Sequence, residues 1–277
     1  MNFALPKDAD ATSGEQWTPD FDAALKLWIG ERDEQEDAII AQFEKAAGYG
    51  VAVLADGMGG HASGEIASAL ITEEVFEEIW NSLDQMRNQQ QMIPDYLKRA
   101  ALLANDAIGD VVTAHPALRG MGATLVALFI DQDRLSWLSI GDSPLYRIRD
   151  GRIDQLNEDH SMAPDIDLMV ANGMMRPEVG RNHPDRNTLK SAVAGFDIRM
   201  LDCRSEPTAI LPGDIYVLSS DGLQTLSNDT IRQIVISERD QSAACITMSL
   251  MTAVQCVENP DQDNTSILVI KVDDKDD

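Results

Sequence analysis

The sequence predicts an α+β fold in which two antiparallel sheets carry helices on their outer faces. Three observations lead there. Strand-like segments come first, helical segments follow in pairs, and strands then resume, an order that suits sheets with helices packed outside. Residues 123–156 hold short, closely spaced strand-like segments with tight turns at Gln132-Asp133 and Asp150-Gly151, which reads as an antiparallel meander. That meander argues against a doubly wound parallel sheet, which needs single strands alternating with helices.

Taken in order, residues 1–20 mix Pro, Asp, Thr, Ser and Gly with little periodicity and read as a partly ordered lead-in. Strands are expected over 21–29, 38–43 and 49–55, the last two separated by the turn-like Lys45-Ala46-Ala47-Gly48. Ala67, Ile71, Val75 and Ile79 step by four with glutamates between them, so a helix is expected there. Leu97, Ala101, Ala104, Ile108 and Val111 repeat the pattern after Pro94, a residue that suits a helix start. The polar stretch 88–92 links the two. After the meander, residues 161–190 are Met-rich, carry Pro164, Pro177 and Pro184, and show little strand character; a short helix near 166–172 inside an irregular excursion is expected. Further strands are expected over 199–204 and 215–219, helices near 229–236 and 241–257, and a last strand over 265–272. Residues 273–277 form an acidic tail, read as solvated and frayed. There is no internal repeat and no long linker, so residues 21–272 are expected to form one domain.

With 277 residues and 44% hydrophobic content, the chain can bury a sizeable core. No run approaches the ~18 apolar residues of a membrane span, and the first residues lack the basic start and apolar run of a secretory signal. Cys203, Cys245 and Cys256 form no C-x-x-C pair, so disulfides and a thiolate zinc site are not expected. Together these features fit a reducing cytoplasm. The formal net charge is −25, from 47 acidic and 22 basic residues; such a field repels nucleic acid and anionic membrane and favours basic protein segments and divalent cations. For most of these acids solubility is explanation enough.

The acids that stand apart lie at the ends of buried strands. Asp150-Gly151 sits between segments that alternate polar and apolar residues and reads as an exposed hairpin turn. Asp56-Gly57 instead follows Val51-Ala52-Val53-Leu54-Ala55, apolar on both faces, and Asp221-Gly222 follows the largely apolar 215–220. Neither is followed by an alternating return strand. A carboxylate delivered by a doubly buried strand is costly unless paired, which leaves a metal or catalytic role open beside a turn or N-cap role. Glu36-Asp37, directly before Ala38-Ile39-Ile40, means little alone in so acidic a chain, and Asp263, before the last strand, could be a cap or a ligand. Carboxylates with backbone carbonyl and water are the ligand set of Mg²⁺ or Mn²⁺ rather than zinc, and the four histidines form no His-x-x-x-His pair. Two such ions would activate a bridging water and stabilise a phosphoryl group in transfer. That chemistry also needs a cation for phosphate oxygens. Arg32, four residues before Glu36, could bind phosphate with two parallel hydrogen bonds or be a surface arginine.

Read in order, the chain carries Arg32-x-x-x-Glu36-Asp37-Ala38, Asp56-Gly57-Met58-Gly59-Gly60-His61, Gly122-Ala123-Thr124, Gly141-Asp142-Ser143, Asp159-His160-Ser161, His183-Pro184-Asp185-Arg186-Asn187, Ser219-Ser220-Asp221-Gly222-Leu223 and Asp263-Asn264. This succession, over about residues 22–272, resembles the metal-dependent protein phosphatases of the 2C type, in their bacterial serine/threonine branch. Each motif is weak alone; the series in order is a strong signal. The resemblance implies a four-layer α-β-β-α sandwich with a metal site at one end between the sheets. It implies hydrolysis of phosphoserine and phosphothreonine on proteins by water activated between two Mg²⁺ or Mn²⁺ ions, without a covalent intermediate, opposing a bacterial serine/threonine kinase. By motif position, Asp56 would bridge both metals, Gly57 would contribute its carbonyl, and Asp221 and Asp263 would complete one metal. Glu36 would serve the other, Asp37 would orient water, and Arg32 would hold the substrate phosphate. Residues 161–190 would be a flap beside the cleft.

Three departures from the family pattern bear on this. Met58 stands where eukaryotic relatives carry a histidine assigned to protonating the leaving group; it marks the bacterial branch and leaves the general acid unassigned, with a structural role for His61 beside a catalytic one. Gln35 replaces the usual Asn before Glu-Asp. Thr225 stands four residues after Asp221, where many relatives carry Asp, so a third ion at Asp142 and Asp221 is expected to be weak or absent. The expected partners are phosphorylated proteins, not nucleic acid or membrane, and the expected state is a cytoplasmic monomer. The alternative is a non-catalytic module that binds phosphoprotein or a partner through the same cleft, favoured only by Thr225.

Overall fold

The computed structural model describes residues 19–59 and 63–273. Strands β1 (Asp20–Trp28), β2 (Asp37–Glu44) and β3 (Tyr49–Met58) precede helices α1 (Ser63–Asn81), α2 (Leu83–Asn88) and α3 (Ile93–Ala114). Strands β4 (Gly122–Ala123), β5 (Leu125–Asp131), β6 (Arg134–Ile140), β7 (Leu145–Arg149) and β8 (Arg152–Gln155) follow, then α4 (Ala163–Ala171) and α5 (Pro177–Arg181). The chain continues through β9 (Thr208–Ala209), β10 (Ile215–Ser219), α6 (Asn228–Ser237), α7 (Ala243–Gln255) and β11 (Thr265–Asp273).

One sheet runs β1-β11-β10-β7-β8; the other runs β2-β3-β5-β6-β9, with β4 beside the end of β3. Every pairing is antiparallel. The apolar run in β3 is doubly buried because it separates two layers of core. Val51, Val53 and Ala55 face α1 and α3, where they meet Ala67, Ile71, Val75, Leu97 and Ile108. Ala52 and Leu54 face the opposite sheet, where they meet Phe21, Tyr216, Leu218 and Leu268. A third layer packs α6 and α7 on the far sheet through Ile231, Val235, Ile246, Leu250, Val217 and Val269. The order is therefore helix, sheet, sheet, helix. Each fully buried Leu or Ile contributes about 1.5–3 kcal/mol relative to exposure.

Local chemistry sets the ends of these elements. Pro94 occupies the first turn of α3, where a missing N–H costs nothing. Ser227 and Ser242 cap α6 and α7 by accepting the Thr230 and Cys245 backbone N–H groups. Asp150 and Gly151 both have positive φ, 50° and 74°, as a two-residue hairpin turn between β7 and β8 requires.

Several expectations change. Residues 199–204 do not form a strand: one bridge, Ser139 to Asp202, joins them to β6. Ile198, Leu201 and Cys203 pack against the α1/α3 core, which explains the alternation that imitated a strand. The strand expected from residue 123 breaks at Thr124, whose hydroxyl turns to Asp56. Residues 83–88 are helical, and the 161–190 excursion holds α5 as well as α4. β1 opens at Asp20 and β11 closes at Asp273, each one residue beyond the expected bound; residues 1–18 of the lead-in and 274–277 of the tail lie outside the described residues. Among the described residues no helix is long and apolar enough to cross a membrane.

Candidate active site

The register of β2 and β3 places Asp37 opposite Asp56 at one end of their ladder. Asp221 begins a 3-10 turn directly after β10, Asp263 lies just before β11, and Asp142 sits in the β6–β7 connection. These acids from five points of the chain act on one another. Burial raises the Asp56 carboxyl well above its ordinary range, and Asp37, Asp221, Asp142 and Asp263 raise it further. Burial also raises Asp37, against the hydrogen bond from Ser220, with Asp221 and Asp263 adding to the rise. Asp221 is raised by burial and then by Asp263, while Arg32 opposes this. Asp142 is pushed up to about 7 by burial, then Asp221 and Asp159. Glu36 is raised by burial and Glu34, against the Gly64 backbone N–H at the start of α1 and Arg32.

Neutral residues hold this arrangement. The Thr124 hydroxyl accepts the Asp56 N–H at 3.0 Å, its own N–H donates to the Asp56 carbonyl at 2.9 Å, and its Oγ1 lies 2.8 Å from Ser143 Oγ. His160, buried, accepts the Gly141 N–H on Nδ1 at 3.2 Å. Burial lowers its pKa, which keeps the ring neutral for that role. Ser220 donates to Asp37 Oδ2 at 2.7 Å. Asn264 accepts the Glu36 N–H at 2.6 Å and donates to the Ile29 and Glu34 carbonyls at 2.7 and 3.1 Å, tying the loop after β1 to the start of β11. The two Asp-Gly pairs need glycine for close approach. A Cβ at Gly57 would collide with the Gly64 and Glu36 carbonyl oxygens, and one at Gly222 with the Asn264 carbonyl.

Arg32 is half-exposed, and its Nη2 donates to Asp263 Oδ2 at 2.6 Å. With Asp33, Glu34, Glu36 and Gly59 it lines a cleft of about 300 Å³ at the mouth of the cluster. The Thr225 hydroxyl donates to Gln262 Oε1 at 2.7 Å. Met58 pairs with Gly122 across β3 and β4. His61 lies outside the described residues.

The donor chemistry fits hard divalent cations. Asp37 Oδ1 and Asp221 Oδ1 are buried without a hydrogen-bond partner, and the neighbouring carboxyls raise one another. Unpartnered anionic oxygens crowded at one place are what a cation stabilises. Among the described residues no three acidic, histidine or cysteine side chains make a coordination sphere by themselves. Backbone carbonyl and water would complete it, as is usual for Mg²⁺.

A profile described as protein phosphatase 2C matches residues 29–173. The chain belongs to this family. Over 214 residues it is 34% identical to the serine/threonine protein phosphatase PstP of Mycobacterium tuberculosis (strain CDC 1551 / Oshkosh), an alignment covering 76% of this chain and 38% of PstP. The phosphatase 2C fold is thus shared with a relative of which the chain spans well under half. Protein phosphatase PhpP of Streptococcus pneumoniae (strain D39) is 30% identical over 213 residues, covering 76% of this chain and 82% of PhpP. A crystal structure of the PstP catalytic domain with two manganese ions superposes with a TM-score of 0.71 at 28% identity, covering 93% of this chain and 100% of that one.

The motif order singles out these acids and Arg32, and the structure brings Glu36, Asp37, Asp56, Asp142, Asp221 and Asp263 to one end of the sandwich. That order assigned no role to Thr124, Ser220, His160 or Asn264. Ser220, His160 and Asn264 each adjoin an acid of their motif, and that adjacency was the available signal; Thr124 has no acid beside it, and its role rests on a contact 68 positions away.

Proposed function

We propose that this chain hydrolyses phosphoserine and phosphothreonine on proteins, using two Mg²⁺ or Mn²⁺ ions held by Asp56, the Gly57 carbonyl, Asp221, Asp263 and Glu36. The buried acid cluster, with unpartnered oxygens on Asp37 and Asp221, carries this reading. The names of PstP and PhpP and the two manganese ions of the PstP structure support it. When bound, such ions activate water and neutralise charge on the phosphoryl group.

The chain's own residues bind and orient. Asp37, fixed by Ser220, keeps Oδ1 free to accept a hydrogen bond from the attacking water. Arg32, at the cleft mouth, leaves Asp263 and offers two parallel N–H donors to the substrate phosphate. A serine/threonine kinase would supply the phosphorylated substrates. Because the Thr225 hydroxyl is engaged with Gln262, a third ion beside Asp142 is proposed to be weak or absent. The test is hydrolysis of p-nitrophenyl phosphate with Mn²⁺, wild type against Asp56→Ala. No metal-dependent activity above that of the variant would sink the proposal.

A further inference from the structure

A second cavity, of about 540 Å³, opens next to Met58 and runs between Asn187–Ala192 of the flap's return and a loop bearing Phe196, Asp197 and Arg199. Phe196 is 61% exposed, yet its loop is held at both ends. Asn105 on α3 accepts the Ala194 and Gly195 N–H groups at 3.2 and 3.0 Å and donates to the Phe196 carbonyl at 3.1 Å. Ser191 closes the loop by donating to the Met200 carbonyl at 2.7 Å and accepting the Met200 N–H at 3.0 Å. The ring therefore presents apolar surface at a fixed place in the cavity lining, beside Met58.

Charge gives that surface a preference. Lys190 is paired with Asp165 at 3.0 Å, whereas the Arg199 side chain, exposed, makes no ion pair or hydrogen bond among the described residues. In a chain of net charge −25, an unpaired arginine beside an acid-rich site is a local exception. Gly57 pairs with Ala123, and Ala123 bridges to Val193. The floor of the groove therefore begins two strand spacings, roughly 10 Å, from the catalytic turn, a reach of about three extended residues.

We propose that this groove takes the substrate segment flanking the phosphorylated residue, with an apolar side chain against Met58 and Phe196 and an acidic one at Arg199, a few residues from the phosphorylated position. The inference rests on the phosphatase reading and makes the loop 191–200 a determinant of which phosphoproteins are chosen.

The test compares kcat/KM with Mn²⁺ for p-nitrophenyl phosphate and for phosphoserine peptides carrying leucine beside either glutamate or lysine near that position, placed on each side in turn. Wild type should prefer the glutamate peptide on one side by about fivefold, and Arg199→Glu should reverse the preference. Phe196→Ala should lower both peptides about tenfold, with p-nitrophenyl phosphate within about twofold of wild type. Absence of a charge preference, or an equal loss on p-nitrophenyl phosphate, overturns the proposal. If wild type hydrolyses none of these substrates, the phosphatase reading fails separately. Fluorescence anisotropy of the same peptides then decides the groove: the same order of binding upholds it, and equal binding by wild type and both variants overturns it.

Discussion

Replacing Asn264 with alanine removes one buried amide that holds two segments of the active site together. Asn264 is 4% exposed. The substitution strands the Glu36 N–H and deprives the Ile29 and Glu34 carbonyls of their donor. Water can reach the Ile29–Glu34 loop, so each carbonyl loses only the net worth of its bond, about 0.5–1.5 kcal/mol, while the N–H costs about 1–3 kcal/mol if it stays unpaired. The sum centres near about 4 kcal/mol, which for a domain of this size lowers Tm by about 8–16 °C. Urea titration and thermal melts in EDTA measure it directly. Asn264→Asp sharpens the test. It keeps the acceptor for Glu36 but loses both donors and adds a carboxylate beside Asp263, so its deficit should be large in EDTA and shrink in Mn²⁺. A loss below about 0.5 kcal/mol for Asn264→Ala would refute the idea that this amide fixes Glu36 against Asp263.

The acid cluster makes stability depend on pH. Asp37, Asp56, Asp142 and Asp221 all titrate higher folded than unfolded. The native state thus retains protons that the unfolded chain has released, and metal-free stability falls as pH rises from about 4 to about 7, by up to about 1.4 kcal/mol per unit for each such group. Melting curves in EDTA should show the fall and saturating Mn²⁺ should flatten it; a Tm that climbs with pH in EDTA contradicts the cluster. Asp221→Asn should cut kcat at least about 100-fold, whereas Asp150→Asn, in a turn at φ 50° that asparagine tolerates, should stay within about twofold; equal, mild effects would undo the distinction between the two Asp-Gly pairs. Arg32→Ala should raise KM about tenfold with little change in kcat, and the opposite split would rule out a phosphate anchor.

The central strands were legible because their surroundings leave a mark on composition. β3 separates two core layers, so both of its faces are apolar, and the carboxylate at its end stands out against them. Helices α1 and α3 show one apolar stripe because one face of each is buried. Residues 199–204 misled because apolar alternation reports burial on one side and not hydrogen bonding to a neighbour. In the site, the acids could be named from strand ends and motif order. The hydrogen bonds of Thr124 to Asp56, 68 positions away, and of Asn264 to Glu36, 228 positions away, depend on sheet register and strand order, which no local pattern encodes. The pairing of Arg32 with Asp263 and the turn of Thr225 toward Gln262 are long-range in the same sense.

The most direct test of the cation site is calorimetric titration of Mn²⁺ into EDTA-stripped protein near pH 7.5, in two buffers of different ionisation enthalpy. Wild type should bind two ions per chain and release protons as it does so, because the ions displace protons from raised carboxyls, and Asp56→Ala should lose both sites. Equal stoichiometry and affinity in wild type and Asp56→Ala, or binding without proton release, would contradict a cation site built on Asp56.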